Sequence, residues 1–136
     1  MCKKIFIILP YKESLKPNSA GAVSLYVKDT TKYSKYKKNI KVFSSDNLSK
    51  NKLFRNRNYI LNFCNKYKNT KIDIIEIHNR PEYLTYIKKF FPNTKIKLFF
   101  HNDPLTKRGS ESIEDRKFII DNTDVIIFIS RWVQKM

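Results

Sequence analysis

The stretch KIDIIEIHNRPEYLTYIKKFFPNTKIKLFFHNDP, residues 71–104, decides the fold. Two short apolar runs, KIDIIEIHN (71–79) and KIKLFFHN (95–102), bracket a segment of different rhythm. The runs are rich in Ile and Phe, have no helical period and are too short for helices, so they read as buried strands. Between them, PEYLTYIKKFF (81–91) sets Leu84, Ile87 and Phe91 on one helical face. Pro81 suits a first turn, where its missing N–H has no partner to lose. Strand, helix and strand in this order form a crossover unit, the connection that joins parallel strands.

The same rhythm extends in both directions. KKIFIIL (3–9) reads as a strand, followed by the polar loop YKESLKPNSAG with Pro17 and Gly21. AVSLYVKDTTKYSKYKK (22–38) reads as a helix, with Val23, Val27 and Thr30 or Thr31 on one face and Leu25 and Tyr26 beside it. NIKVFSS (39–45) is a strand, and residues 52–68 are a helix carrying Leu53, Tyr59 or Ile60, Phe63 and Tyr67. A further helix spans 110–122, with Ser110 or Ser112 as its cap. DVIIFIS (124–130) is the last strand. The expected fold is α/β, a Rossmann-like doubly wound parallel sheet of about five strands with helices on both faces. It forms a single domain over residues 1–136, and KKIFIIL and DVIIFIS, apolar throughout, read as central strands.

Composition narrows the function less than the charge suggests. The formal charge is +16, which favours anionic partners. Most of it comes from lysines spread along the chain, and only six residues are Arg, the better residue for gripping phosphate in two places. Abundant Lys, Asn and Ile also fit drift in an AT-rich genome. No apolar run approaches the ~20 residues of a membrane span, and MCKKIFIILP lacks the long apolar core and small-residue site of a signal peptide. A cytoplasmic location is expected. Cys2 and Cys64 are isolated and read as reduced thiols, neither a disulfide nor a metal site.

In an open α/β sheet, ligands bind beyond the carboxyl ends of the strands, near the place where strand order reverses. The residues that follow each strand are therefore the candidates. They are Asn18, Ser19, Ala20 and Gly21 after the first; His78, Asn79 and Arg80 after the third; His101, Asn102, Asp103, Lys107 and Arg108 after the fourth; and Ser130 and Arg131 after the fifth. Both histidines of the chain stand at such ends, each followed by Asn. A strand-end His can also simply bond to loop backbone. Gly21, one of two glycines, stands where backbone can approach a phosphate at a helix start. No dinucleotide or nucleotide-triphosphate glycine fingerprint is present. Gly109 reads as a turn residue. Asp103 is the most suggestive acid, Glu76 reads as facing a loop or pairing with a lysine, and Glu111, Glu114 and Asp115 suit a helix start.

The segments KIFIILPYKESLKPNSAGAVSLYV, DIIEIHNRPEY, KIKLFFHNDP and ESIEDRKFIIDNTDVIIFISRWV carry a resemblance. In order and spacing, the chain resembles the N-terminal half of a GT-B glycosyltransferase of the family 4 type, across essentially its whole length. The resemblance implies two facing Rossmann-like domains, of which this would be the acceptor-side one. It implies a retaining transfer from a nucleotide-sugar co-substrate to a saccharide or lipid-linked acceptor, with no metal and no bound cofactor. It would place Ala20, Gly21 and Ala22 near the donor diphosphate, and His101 against the transferred sugar with Asp103 and Asn102 beside it. Ser19, His78, Asn79, Arg80, Ser130 and Arg131 would line the acceptor side. Many relatives carry Gly-Gly where this chain has Ala20-Gly21. The donor-binding domain with its paired glutamates is absent from the sequence, so the chain reads as half of an enzyme, whether a fragment, one part of a split enzyme or a decayed gene, and inactive alone. The basic surface suits peripheral contact with an anionic membrane, where lipid-linked acceptors reside.

The competing reading is a non-enzymatic, basic nucleic-acid-binding module, supported by charge and by 18 Tyr and Phe residues. Base stacking needs those rings exposed on a basic face, whereas their spacing here points to the core, so no nucleic-acid partner is expected. A phosphorelay receiver is a poorer fit, because the acidic cluster it needs after the first strand is missing.

Overall fold

Among the described residues five short strands run parallel in one sheet: β1 Ile5–Ile8, β2 Ile40–Phe43, β3 Ile74–His78, β4 Lys95–Phe100 and β5 Val125–Phe128. The structure is a computed structural model that describes residues 3–16, 21–47 and 56–129. The spatial order is β2-β1-β3-β4-β5. From β1 the chain steps one way to β2, then returns past β1 to β3 and continues outward. Strand order thus reverses between β1 and β3, the place where doubly wound sheets bind ligands. The α/β class and the parallel sheet flanked by helices are as expected from the alternating pattern.

Among the described residues four α-helices accompany the strands: α1 Ala22–Lys32, α2 Asn56–Tyr67, α3 Leu84–Phe90 and α4 Ile113–Asn122. Alternation along the strands sorts the side chains to two faces. Phe6, Ile8, Ile75, Ile77, Ile96, Leu98 and Phe100 point toward α2, α3 and α4, and join Tyr59, Ile60, Phe63, Leu84, Ile87 and Ile119 in the main core. Ile7 and Leu9 point the other way and pack with Val23 and Val27 of α1. This explains why β1 is apolar at every position: it is buried on both faces. The buried Tyr59 hydroxyl donates to the carbonyls of Leu9 and Phe43, tying α2 to the ends of β1 and β2.

Several expectations need correction. DVIIFIS is not a central strand; β5 is the sheet edge. Ile126 and Phe128 pack on the main core, while Val125 and Ile129 are 41% and 37% exposed. Uniform apolarity does not distinguish a strand buried on both faces from one buried on one face. The helix expected over 22–38 stops at Lys32. Ser34 Oγ accepts from the Tyr36 N–H and offers the backbone a turn instead. Leu25 is exposed, and Val23, Ser24 and Val27 face inward. Residues 81–83 form a 3-10 turn before α3. Ser112 caps α4 by accepting from the Asp115 N–H, while Ser110 is buried and donates to the Pro104 carbonyl. Leu53 and Cys2 lie outside the described residues. Cys64 is buried in α2 and its thiol is pushed up to about 12 by desolvation, an unreactive state.

Gly109 is more than a neutral turn residue. Its φ is +95°, and an added Cβ would lie 2.6 Å from the Glu82 backbone nitrogen. Gly109→Ala is expected to cost about 1–3 kcal/mol from backbone strain alone, with the backbone clash adding to it. Urea unfolding checks this; an unchanged midpoint would contradict the packing of this loop on the start of α3.

Candidate functional site

The carboxyl ends of β3 and β4 lie side by side, with His78 registered against Phe99. This pairing brings the two histidines together: His78 Nδ1 and His101 Nε2 are 3.0 Å apart. They occupy different depths. His78 is 1% exposed and stacks on Phe99 at 4.2 Å between ring centroids. His101 is partly exposed and meets Tyr26 of α1 edge-on at 5.1 Å. The expectation that His78 lines an acceptor surface is therefore corrected. It is buried behind His101, because a residue still within β3 is covered by its neighbour strand and by α1.

Glu76 completes the row. Two residues before His78 on the same strand, it shares that face, and its Oε2 lies 3.4 Å from His78 Nε2. Rather than the loop or lysine expected from its position, it faces the buried imidazole. Its side chain is 19% exposed. Beside it, Tyr26, Thr30, Thr31, Ser34, Ile40 and Phe99 line a recess of about 130 Å³ under α1, with Glu76 and His78 in its wall.

Asn79 organises the rim. It holds φ +57°, a left-handed conformation that Asn tolerates better than most residues. That turn aims its side chain across to β4. Its Oδ1 accepts from the N–H groups of His101 and Asn102, and its Nδ2 donates to Asn102 Oδ1 at 2.7 Å. The two His-Asn pairs noted in the sequence are thus one clamp, the Asn pair fixing the loops that carry the imidazoles. Arg80 folds back to donate to the Asn79 carbonyl at 2.9 Å. Lys107 has its pKa lowered by burial and then by the positive charge of Arg80. These two cations give the rim its positive side.

Asp103 is engaged elsewhere. Its Oδ1 accepts from the Leu105 N–H at 2.9 Å and caps the turn Pro104–Thr106. Gly21 starts α1 on the same sheet edge, and Ala22 is the first helical residue. The space expected for a phosphate there holds a carboxylate: Glu13 Oε1 accepts from the Ser24 N–H at 3.1 Å. A Cβ on Gly21 would lie 2.3 Å from that oxygen. Nothing in the sequence pattern announced Glu13, which reaches α1 from a loop. Ser19, Ala20, Ser130 and Arg131 lie outside the described residues. Among the described residues no group of three or more His, Cys, Asp or Glu could hold a metal ion, and no helix is long and apolar enough to cross a membrane.

His101 is held neutral at the rim. The His101 pKa is lowered to about 4, first by desolvation and then by His78 and Lys107. The unfolded chain therefore binds a proton at His101 more readily than the folded protein does. His101 contributes full stability above its ordinary pKa near 6.5, and this contribution is lost as pH falls toward 4. Asp46, whose pKa is lowered chiefly by the Ser14 hydroxyl, contributes a separate loss at lower pH. Urea unfolding at pH 7 and pH 4.5 should show a smaller acid loss in His101→Gln than in the parent. Equal losses would mean that the imidazole is not held neutral by the fold. Compared with protein-family models, with curated proteins and with solved structures, the chain matches none.

Proposed function

We propose that this chain is the acceptor-side domain of a retaining, nucleotide-sugar-dependent glycosyltransferase that works with a separate donor-binding domain. The observation that carries the reading is the convergence at the β3–β4 ends: a neutral imidazole, two clamped asparagines and the cations Arg80 and Lys107, beside the strand-order reversal. Neutral hydrogen-bonding groups suit sugar hydroxyls, and adjacent cations suit a departing diphosphate. In this reading His101 meets the transferred sugar, while Asn79, Asn102 and Arg80 shape its surroundings. The donor diphosphate approaches Gly21 and Ala22 when Glu13 swings away from the α1 start and frees the Ser24 N–H. The acceptor is a saccharide or a lipid-linked saccharide.

A binding experiment tests this. Isotope-labelled protein titrated with a panel of nucleotide-sugars and oligosaccharides should shift signals of Asn79, His101 and Asn102 before others. A panel that leaves this rim silent would count against sugar transfer. The nucleic-acid reading draws on Tyr33 and Tyr36, 79% and 44% exposed with Lys32 and Lys35 over their rings. Against it, Phe6, Phe43, Tyr59, Phe63, Tyr83, Phe91, Phe99 and Phe100 are buried and offer no stacking platform. Micromolar RNA or DNA binding with a steep salt slope would favour it instead.

A further inference from the structure

We infer that Glu76, acting through buried His78, fixes the tautomer of His101 and leaves its Nδ1 as a bare hydrogen-bond acceptor at the rim, a site for a ligand hydroxyl rather than an anion. The ligand half of this inference rests on the sugar-transfer reading; the tautomer half does not.

The relay starts at the Glu76 carboxylate. An ionised carboxylate can only accept, so the His78 nitrogen facing it, Nε2, must donate. In its neutral form His78 carries one N–H, so its Nδ1 is then an acceptor; a doubly protonated His78 would instead donate from Nδ1 and place the His101 proton on Nδ1, the pattern that overturns the inference. The group facing Nδ1 is His101 Nε2, at 3.0 Å, and it must donate. His101 has then spent its single N–H inward. Its other nitrogen, Nδ1, has no protein partner among the described residues. Burial of His78 and its stacking on Phe99 hold the ring in register, and the Asn79 side chain pins the His101 backbone. One partly buried carboxylate thus sets the polarity of a nitrogen two hydrogen bonds away.

The consequence is chemical selectivity. A bare imidazole nitrogen attracts the O–H of a sugar or other polyol and repels phosphate or carboxylate oxygens. Any phosphate of the ligand belongs toward Arg80 and Lys107, not on His101. Glu76 and His78 are positioning residues, since neither needs to touch the ligand.

Nitrogen NMR of the histidine rings tests the relay without any activity assay. In the parent protein at neutral pH, both rings should carry their proton on Nε2, and a coupling across the hydrogen bond should link His78 Nδ1 to His101 Nε2. Glu76→Gln can donate as well as accept, and Glu76→Lys can only donate. Both should create a second population in which His78 and His101 together move their protons to Nδ1. An Nδ1–H form of His101 in the parent overturns the inference. So does reversal of His78 alone, or no change in either ring in both variants. The coupling is read on the parent, so the test survives a variant that fails to fold. Inorganic phosphate should leave the His101 ring signals unmoved, and methyl α-D-glucopyranoside should shift Nδ1. A phosphate response at that ring overturns the hydroxyl assignment. A silent glycoside counts against the sugar reading, while the tautomer pattern still decides the relay.

Discussion

Replacing His101 by alanine is expected, on the proposed glycosyltransferase reading, to lower turnover by about 10²–10⁴-fold in the protein acting with a donor-binding domain, and to leave the fold intact. The size follows from the proposed position: His101 is the one imidazole of the pair that reaches the rim, so it alone can contact the reacting sugar. Its removal leaves His78 facing Glu76 but strips the partner from the buried His78 Nδ1, a cost of about 1–3 kcal/mol that lowers the urea midpoint without unfolding the domain. His78→Ala is a poorer probe. That ring is fully enclosed between Phe99 and its neighbours, so its loss opens a cavity and confuses folding with function. The measurement is turnover alongside a urea midpoint for the same variant. Parent-like turnover by a folded His101→Ala would remove the residue from the reaction.

Phe63→Ala is expected to destabilise the protein by about 3–5 kcal/mol, a large share of the roughly 5–15 kcal/mol available to a domain. Phe63 is 0% exposed and lies at the centre of the main core. Its ring meets Phe6 and Phe43 edge-on at 5.4 and 5.1 Å, and Tyr67 and Phe91 at 5.2 and 5.9 Å. It thus joins α2 to β1, β2 and the end of α3. Aromatic neighbours on several elements cannot all collapse into the vacated space, so a cavity remains and its cost adds to the lost burial. Denaturant unfolding gives the value directly. A cost below about 1 kcal/mol, as for a surface substitution, would mean that α2 does not pack on this face.

The parallel sheet was legible in the sequence because backbone needs are local. Runs such as KIFIIL and KLFF satisfy a strand buried in a sheet, and Leu84, Ile87 and Phe91 repeat at helical spacing, whatever lies elsewhere. The polar residues that follow those runs also marked the functional edge, because polar groups enter the covered interior only where hydrogen bonds satisfy them, as they do for buried Asn79. Strand order was not legible: β5 is as apolar as β1, yet one is an edge and the other is central. Nor were the roles within the site. His78 and His101 carry similar local sequences, and only the registration of β3 against β4 makes one a buried spacer and the other a rim acceptor. Glu13 gained its role only in the folded chain, where a loop carries it to the Ser24 N–H eleven residues on. Glu76 is different: two residues before His78 on one strand, it shares that face by alternation, a signal the spacing already carried.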